Sequence, residues 1–118
     1  MEYLALIYAD EGGWERLTDA ERRSAYEQYG KFSEAARAAG VLVGGNELAA
    51  TATATTVRVR EHERLVSDDP YAKMKEALGG YFILDCASFD DALAWAARIP
   101  AAAHGAVEVR PVHVDEEA

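Results

Sequence analysis

The stretch Tyr3-Leu4-Ala5-Leu6-Ile7-Tyr8-Ala9 decides the fold. It is continuously apolar, rich in strand-forming side chains and too short for a typical helix, so it reads as a strand buried on both faces. A strand of this kind lies inside a sheet that is covered above and below. Asp10 to Leu17 contains Gly12-Gly13 and reads as a loop. Thr18-Asp19-Ala20-Glu21 then matches a capping box, in which the Thr hydroxyl and the Glu carboxylate satisfy backbone donors at the start of a helix. Tyr26, Tyr29, Phe32 and Ala36 recur at helical spacing as one apolar stripe, and Gly40 stands where the helix stops. The spacing predicts a helix from about Asp19 to Ala39.

Beyond a turn marked by Gly44-Gly45-Asn46, residues Thr51 to Arg60 alternate with period two and predict a strand, with Val57 and Val59 on one side and Arg58 and Arg60 on the other. Glu61-His62-Glu63 reads as a hairpin turn into a short return strand through Leu65 and Val66. Ser67-Asp68-Asp69-Pro70 ends that strand, because Pro restricts its predecessor and cannot donate to a ladder. Tyr71 to Leu78 has room for a short helix. Tyr81 to Cys86 is a second buried strand, Ser88-Phe89-Asp90-Asp91 starts a helix that Pro100 closes, and Val107 to Val112 is an edge or bulged strand containing Pro111.

The resulting order, β-α-β-β-β-α-β with a hairpin at its centre, predicts an α+β sandwich of ferredoxin-like kind, with an antiparallel sheet covered by helices on one face. Tyr3/Ala5/Ile7 and Leu4/Leu6/Tyr8 are both too apolar to meet water. A partner chain is therefore expected on the other face, as a homodimer.

With 118 residues the chain fits one domain, assigned to residues 1–114, with an acidic tail at 115–118. That length buries roughly two-thirds of the unfolded surface, enough for a core without disulfides or a structural metal. The formal charge of −9, from 12 Lys+Arg and 21 Asp+Glu, argues against nucleic acid and anionic membrane as partners. The apolar run at the N-terminus is far shorter than a membrane span and no basic segment precedes it, so a soluble cytoplasmic protein is expected.

Few residues carry a chemical signal. Arg58 is predicted to point into the uncovered side of the sheet, where it must be paired, either by a carboxylate such as Asp68 or Glu108 or by an anionic ligand. Asp68 reads either as a cap of the following turn or as a general base beside an apolar pocket. Tyr8 and Tyr81 offer hydroxyls to the same space, or fill core with one hydrogen bond each. Glu108 and Arg110 share one face of the last strand, where a structural pairing is favoured. His62, His104 and His113 lack metal-ligand spacing. Cys86 reads as a buried, inert thiol. Gly79-Gly80 precedes a strand rather than a helix, so it implies no phosphate loop, and no cofactor is expected.

Taken together, Tyr3-Leu4-Ala5-Leu6-Ile7-Tyr8, Ala54-Thr55-Thr56-Val57-Arg58, Asp68-Asp69-Pro70-Tyr71-Ala72, Lys75 to Phe82 and Val107 to Val112 resemble the DGPF-domain branch of the YCII-related proteins. The resemblance implies a ferredoxin-like fold paired as a dimeric α/β barrel. Where the branch motif reads Asp-Gly-Pro-Phe, this chain has Asp68-Asp69-Pro70-Tyr71. The His near the first helix and the Asp after the last helix that the classical YCII proteins are thought to use have no counterpart here. Two functions follow from the resemblance. One is acid/base chemistry on a small organic molecule, with Asp68 as base, Arg58 as anion anchor and Tyr8 or Tyr81 as hydrogen-bond donor. The other is a non-catalytic ligand-binding or regulatory module, linked to a sigma factor as DGPF-type proteins often are.

Overall fold

The computed structural model describes residues 1–115, so the last three residues of the expected acidic tail lie outside the described residues. Strand β1 (Glu2–Asp10) leads into a short helix α1 (Glu11–Glu15) and a long helix α2 (Asp19–Ala38). Strands β2 (Leu42–Glu47), β3 (Thr56–Arg60), β4 (Glu63–Ser67) and β5 (Glu76–Asp85) follow, then helix α3 (Phe89–Ala96) and strand β6 (Ala106–Pro111). Four strands form one sheet in the order β2-β5-β1-β6, with every neighbouring pair antiparallel. With β3 and β4 set aside, the β-α-β-β-α-β order and this arrangement are those of a ferredoxin-like α+β sandwich.

Each element has a local cause. The capping box at α2 forms as the residue types require: the Glu21 N–H donates to the Thr18 hydroxyl at 3.1 Å, and the Thr18 N–H donates to the Glu21 carboxylate at 2.9 Å. Gly40, at φ 73°, ends that helix in the left-handed region. Ser88 caps α3 by accepting from the Asp91 N–H at 3.1 Å. The two crossover helices bury Phe32, Ala36, Ala92 and Ala96 against Tyr3, Ala5, Ile7 and Leu84 of the sheet. Phe32 is the hinge of this packing, with its ring centroid 5.0 Å from Phe82 and 6.3 Å from Trp95.

Several expectations are corrected. Gly44-Gly45-Asn46 is not a turn but the middle of β2, paired with β5 in the register Gly44↔Ile83, Gly45↔Phe82 and Asn46↔Tyr81. The side-chain pattern of a strand is missing there because two glycines supply none. The predicted strand at Thr51 to Arg60 begins only at Thr56, and Thr51–Thr53 is a 3-10 turn. Glu11 imposes that turn, since its carboxylate accepts from the Thr51 N–H and from the Thr51 hydroxyl, both at 2.8 Å. Glu11 itself lies in the short helix α1, which replaces the expected loop and is capped by Asp10 accepting from the Gly12 N–H at 2.9 Å. The β3–β4 hairpin forms a separate two-stranded sheet rather than the centre of the main one. Tyr71 to Leu78 holds no helix, and β5 begins within it at Glu76.

One irregularity matters for the open face. Opposite β1, Ile7 pairs with Gly80 but Tyr8 pairs with Leu78, so Gly79 is an extra residue in β5. The Gly79 carbonyl instead accepts from the Leu48 N–H at 2.9 Å.

Candidate functional site: the uncovered sheet face

Because Tyr3, Ala5 and Ile7 face the helices, strand alternation turns Leu4, Leu6 and Tyr8 to the other side. Residues paired directly across a ladder share a face, so Tyr81 and Ile83 of β5 join them, as do Glu108 and Arg110 of β6 and Asn46 of β2. The bulge at Gly79 adds Leu78, opposite Tyr8. This face has an apolar middle and two fixed hydroxyls. The Tyr8 hydroxyl donates to the Glu108 carboxylate at 3.4 Å, and the Tyr81 hydroxyl accepts from the Asn46 side-chain amide at 3.0 Å. Since Leu6 lies directly opposite Tyr81, Tyr8 and Tyr81 stand diagonally across the β1–β5 ladder.

Of the four residues singled out in the sequence, the chain brings Tyr8 and Tyr81 together. Arg58 and Asp68 lie elsewhere, both exposed, one on the hairpin and one just after it. The Arg58 guanidinium sits 5.1 Å from the ring centroid of Tyr71. The turn after β4 is tied down by its neighbours: the Thr56 hydroxyl donates to the Asp69 carbonyl at 2.6 Å, and Lys73 pairs with the Asp69 carboxylate at 3.7 Å. A shallow depression of about 370 Å3 adjoins this turn, lined by Thr51, Pro70, Ala72, Lys73, Met74 and Ala77.

Asn46, which positions Tyr81, carries no site signal in the sequence, because Gly44-Gly45-Asn46 has the composition of a turn. Glu108 and Arg110 were legible as neighbours on one strand face. Their proximity to Tyr8 and Leu4 depends on the β1–β6 pairing, in which Leu6 meets Glu108 and Leu4 meets Arg110. Among the described residues no group of three or more His, Cys, Asp or Glu could hold a metal, and no helix is long and apolar enough to cross a membrane.

The YCII-related domain matches residues 1–114. The chain belongs to the YCII-related family. An uncharacterized protein of Rhizobium meliloti (strain 1021) is 35% identical over 118 aligned residues, which cover 95% of this chain and 92% of that protein. This YCII-related chain has a helix-covered antiparallel sheet, and its helix α2 contains no His.

Proposed function

We propose that this chain is a cytoplasmic homodimer of the DGPF branch, in which the open faces of two sheets enclose a site for a small anionic organic molecule, handled by acid/base chemistry. The observation that carries the proposal is the pair of tyrosine hydroxyls held in place among Leu4, Leu6, Leu78 and Ile83. An apolar floor with a few oriented polar groups is the usual makeup of a small-molecule site. In this reading Tyr8 and Tyr81 bind the substrate by hydrogen bonds, Arg58 holds its anionic group and Asp68 takes its proton. Arg58 and Asp68 ride on or beside the hairpin, so their part depends on how the two copies meet.

A second reading, a binding or regulatory module without catalysis, is favoured by the exposure of Asp68 and its separation from the two tyrosines. A link to a sigma factor belongs to this reading. Saturation-transfer NMR with benzoate, pyruvate and inorganic phosphate tests the site. At least one anion should give a transfer signal that falls in Tyr81→Phe and in Arg58→Met, and no signal from any of the three would overturn the anion site. Where an anion binds, retention of its signal in Arg58→Met with loss in Arg110→Met would move the anchor to β6. Binding of an anion that the wild type leaves unconverted would favour the second reading, whereas conversion that persists unchanged in Asp68→Asn would remove Asp68 as the base.

A further inference from the structure

The β3–β4 hairpin shares no ladder with the main sheet, yet it presents Val57, Val59, Leu65 and Val66 to solvent at 58%, 60%, 45% and 55% exposure. A two-stranded hairpin alone is marginal in water and needs a further strand or a packing surface. This one has an unfavourable turn as well. Glu61 and His62 occupy the left-handed region at φ 51° and 67°, where Asn or Gly is preferred. The register pairs Val57 with Val66 and Val59 with Arg64, which sets three apolar side chains and an aliphatic stem on one face of the arm. The molecule is also too extended for its length. Its radius of gyration is 16.5 Å and its extents are 50 × 48 × 17 Å, whereas a compact chain of this size has a radius near ~13.5 Å.

Charge identifies the occupant. Residues 56–67 carry Arg58, Arg60 and Arg64 against Glu61 and Glu63, a net +1, while the remainder carries nine Lys+Arg and nineteen Asp+Glu, a net −10. Among the described residues none of these three arginines is paired with a carboxylate: Arg58 lies over Tyr71, and Arg60 donates to the Val59 carbonyl. A basic, apolar arm on an acidic body complements a second copy of the same body. Area points the same way. Four strands about 4.8 Å apart and about 25 Å long offer a flat footprint of roughly 500 Å2, below the about 800 Å2 per partner of a standard interface.

We propose that the β3–β4 hairpin is a docking arm that packs its Val57/Val59/Val66 face on a second copy of this chain. The proposal deepens the homodimer reading above and rests on it. Sedimentation velocity of the wild type, the arm variant Val57→Asp/Val59→Asp, the charge variant Arg60→Glu/Arg64→Glu and the face variant Leu6→Lys tests both ideas separately, with circular dichroism confirming that each folds. The wild type should be a dimer, and both hairpin variants should weaken its dissociation constant about tenfold or more, the charge variant with a loss of salt dependence. Hairpin amides should exchange more slowly in the dimer than on dilution. An intact dimer in both hairpin variants, with fast hairpin exchange, overturns the arm and leaves sheet pairing in place if Leu6→Lys is monomeric. A dimer lost in the hairpin variants but kept in Leu6→Lys supports the arm and overturns sheet pairing. A wild type that is monomeric at ~100 µM overturns both.

Discussion

The Asn46 side-chain amide donates to the Tyr81 hydroxyl at 3.0 Å across the β2–β5 ladder, immediately beyond the glycine pair Gly44-Gly45. It joins the edge strand to the open face without closing that face. Tyr81→Phe should therefore lose about 0.5–1.5 kcal/mol of stability, the net worth of one ordinary hydrogen bond. Tyr8→Phe should lose less, because its bond to Glu108 is longer at 3.4 Å. Urea unfolding of the two variants measures the difference, and a larger loss in Tyr8→Phe would contradict the ranking.

The two glycines of β2 behave oppositely. A Cβ at Gly45 would lie 2.5 Å from the Tyr81 carbonyl oxygen and 2.7 Å from the Phe82 ring, whereas one at Gly44 meets nothing within 4 Å. Gly45→Ala should destabilise by roughly 1–3 kcal/mol through overpacking. Gly44→Ala should be neutral or stabilising by up to about 1 kcal/mol, since alanine restricts the unfolded chain. Thermal unfolding of both variants checks the contrast.

These glycines also mark where the fold was legible and where it was not. Strand β1 and helix α2 were readable because side chains repeat along them, as an apolar run and as a stripe behind a capping box. Strand β2 was not, because its centre has no side chains to repeat and is held by backbone pairing with a strand far away in the chain. Thr51 to Thr55 erred the other way: its period-two pattern is real, but two hydrogen bonds to Glu11 wind its start into a 3-10 turn. Of the candidate site, the chemistry of Tyr8 and Tyr81 could be seen in the sequence. Their partners could not, since Glu108 and Asn46 reach them only through ladders.

Acid should weaken the start of α2. Hydrogen bonding to the Thr18 backbone N–H, and then to its side chain, holds the Glu21 carboxyl below its ordinary value of 4.5. A carboxylate with a lowered folded pKa stabilises the fold above its unfolded value, and that contribution disappears as pH falls through the folded value. Glu21→Ala should thus be less stable than the wild type near neutral pH, with the gap narrowing below pH 4.5. Urea midpoints measured across that range test it, and a gap that widens in acid would contradict the capping role.

Cys86 is buried, and burial pushes its thiol up, with Asp91 and Asp85 adding to the effect. The native protein should resist iodoacetamide near neutral pH and react fully once unfolded. Mass spectrometry of the alkylated chain reads this directly. Labelling of the folded protein at the rate of a free thiol would show that the strand end opens readily.

The extra residue at Gly79 gives β5 two phases. Upstream of it Leu78 looks out beside Tyr8, and downstream Tyr81 and Ile83 do, so the open face is assembled from two half-strands set out of step. Loss of the single codon for Gly79 would bring the halves into step and leave Leu78 opposite Tyr8 on the open face, now in unbroken alternation with Tyr81 and Ile83. The floor beside Tyr8 would keep its leucine, but β5 would lose the bend and added twist that a bulge imposes, together with the carbonyl that accepts from the Leu48 N–H. In a lineage of such proteins, the curvature of this face can vary through one-residue gaps at Gly79, a kind of variation that residue-by-residue comparison records as a shift in alignment.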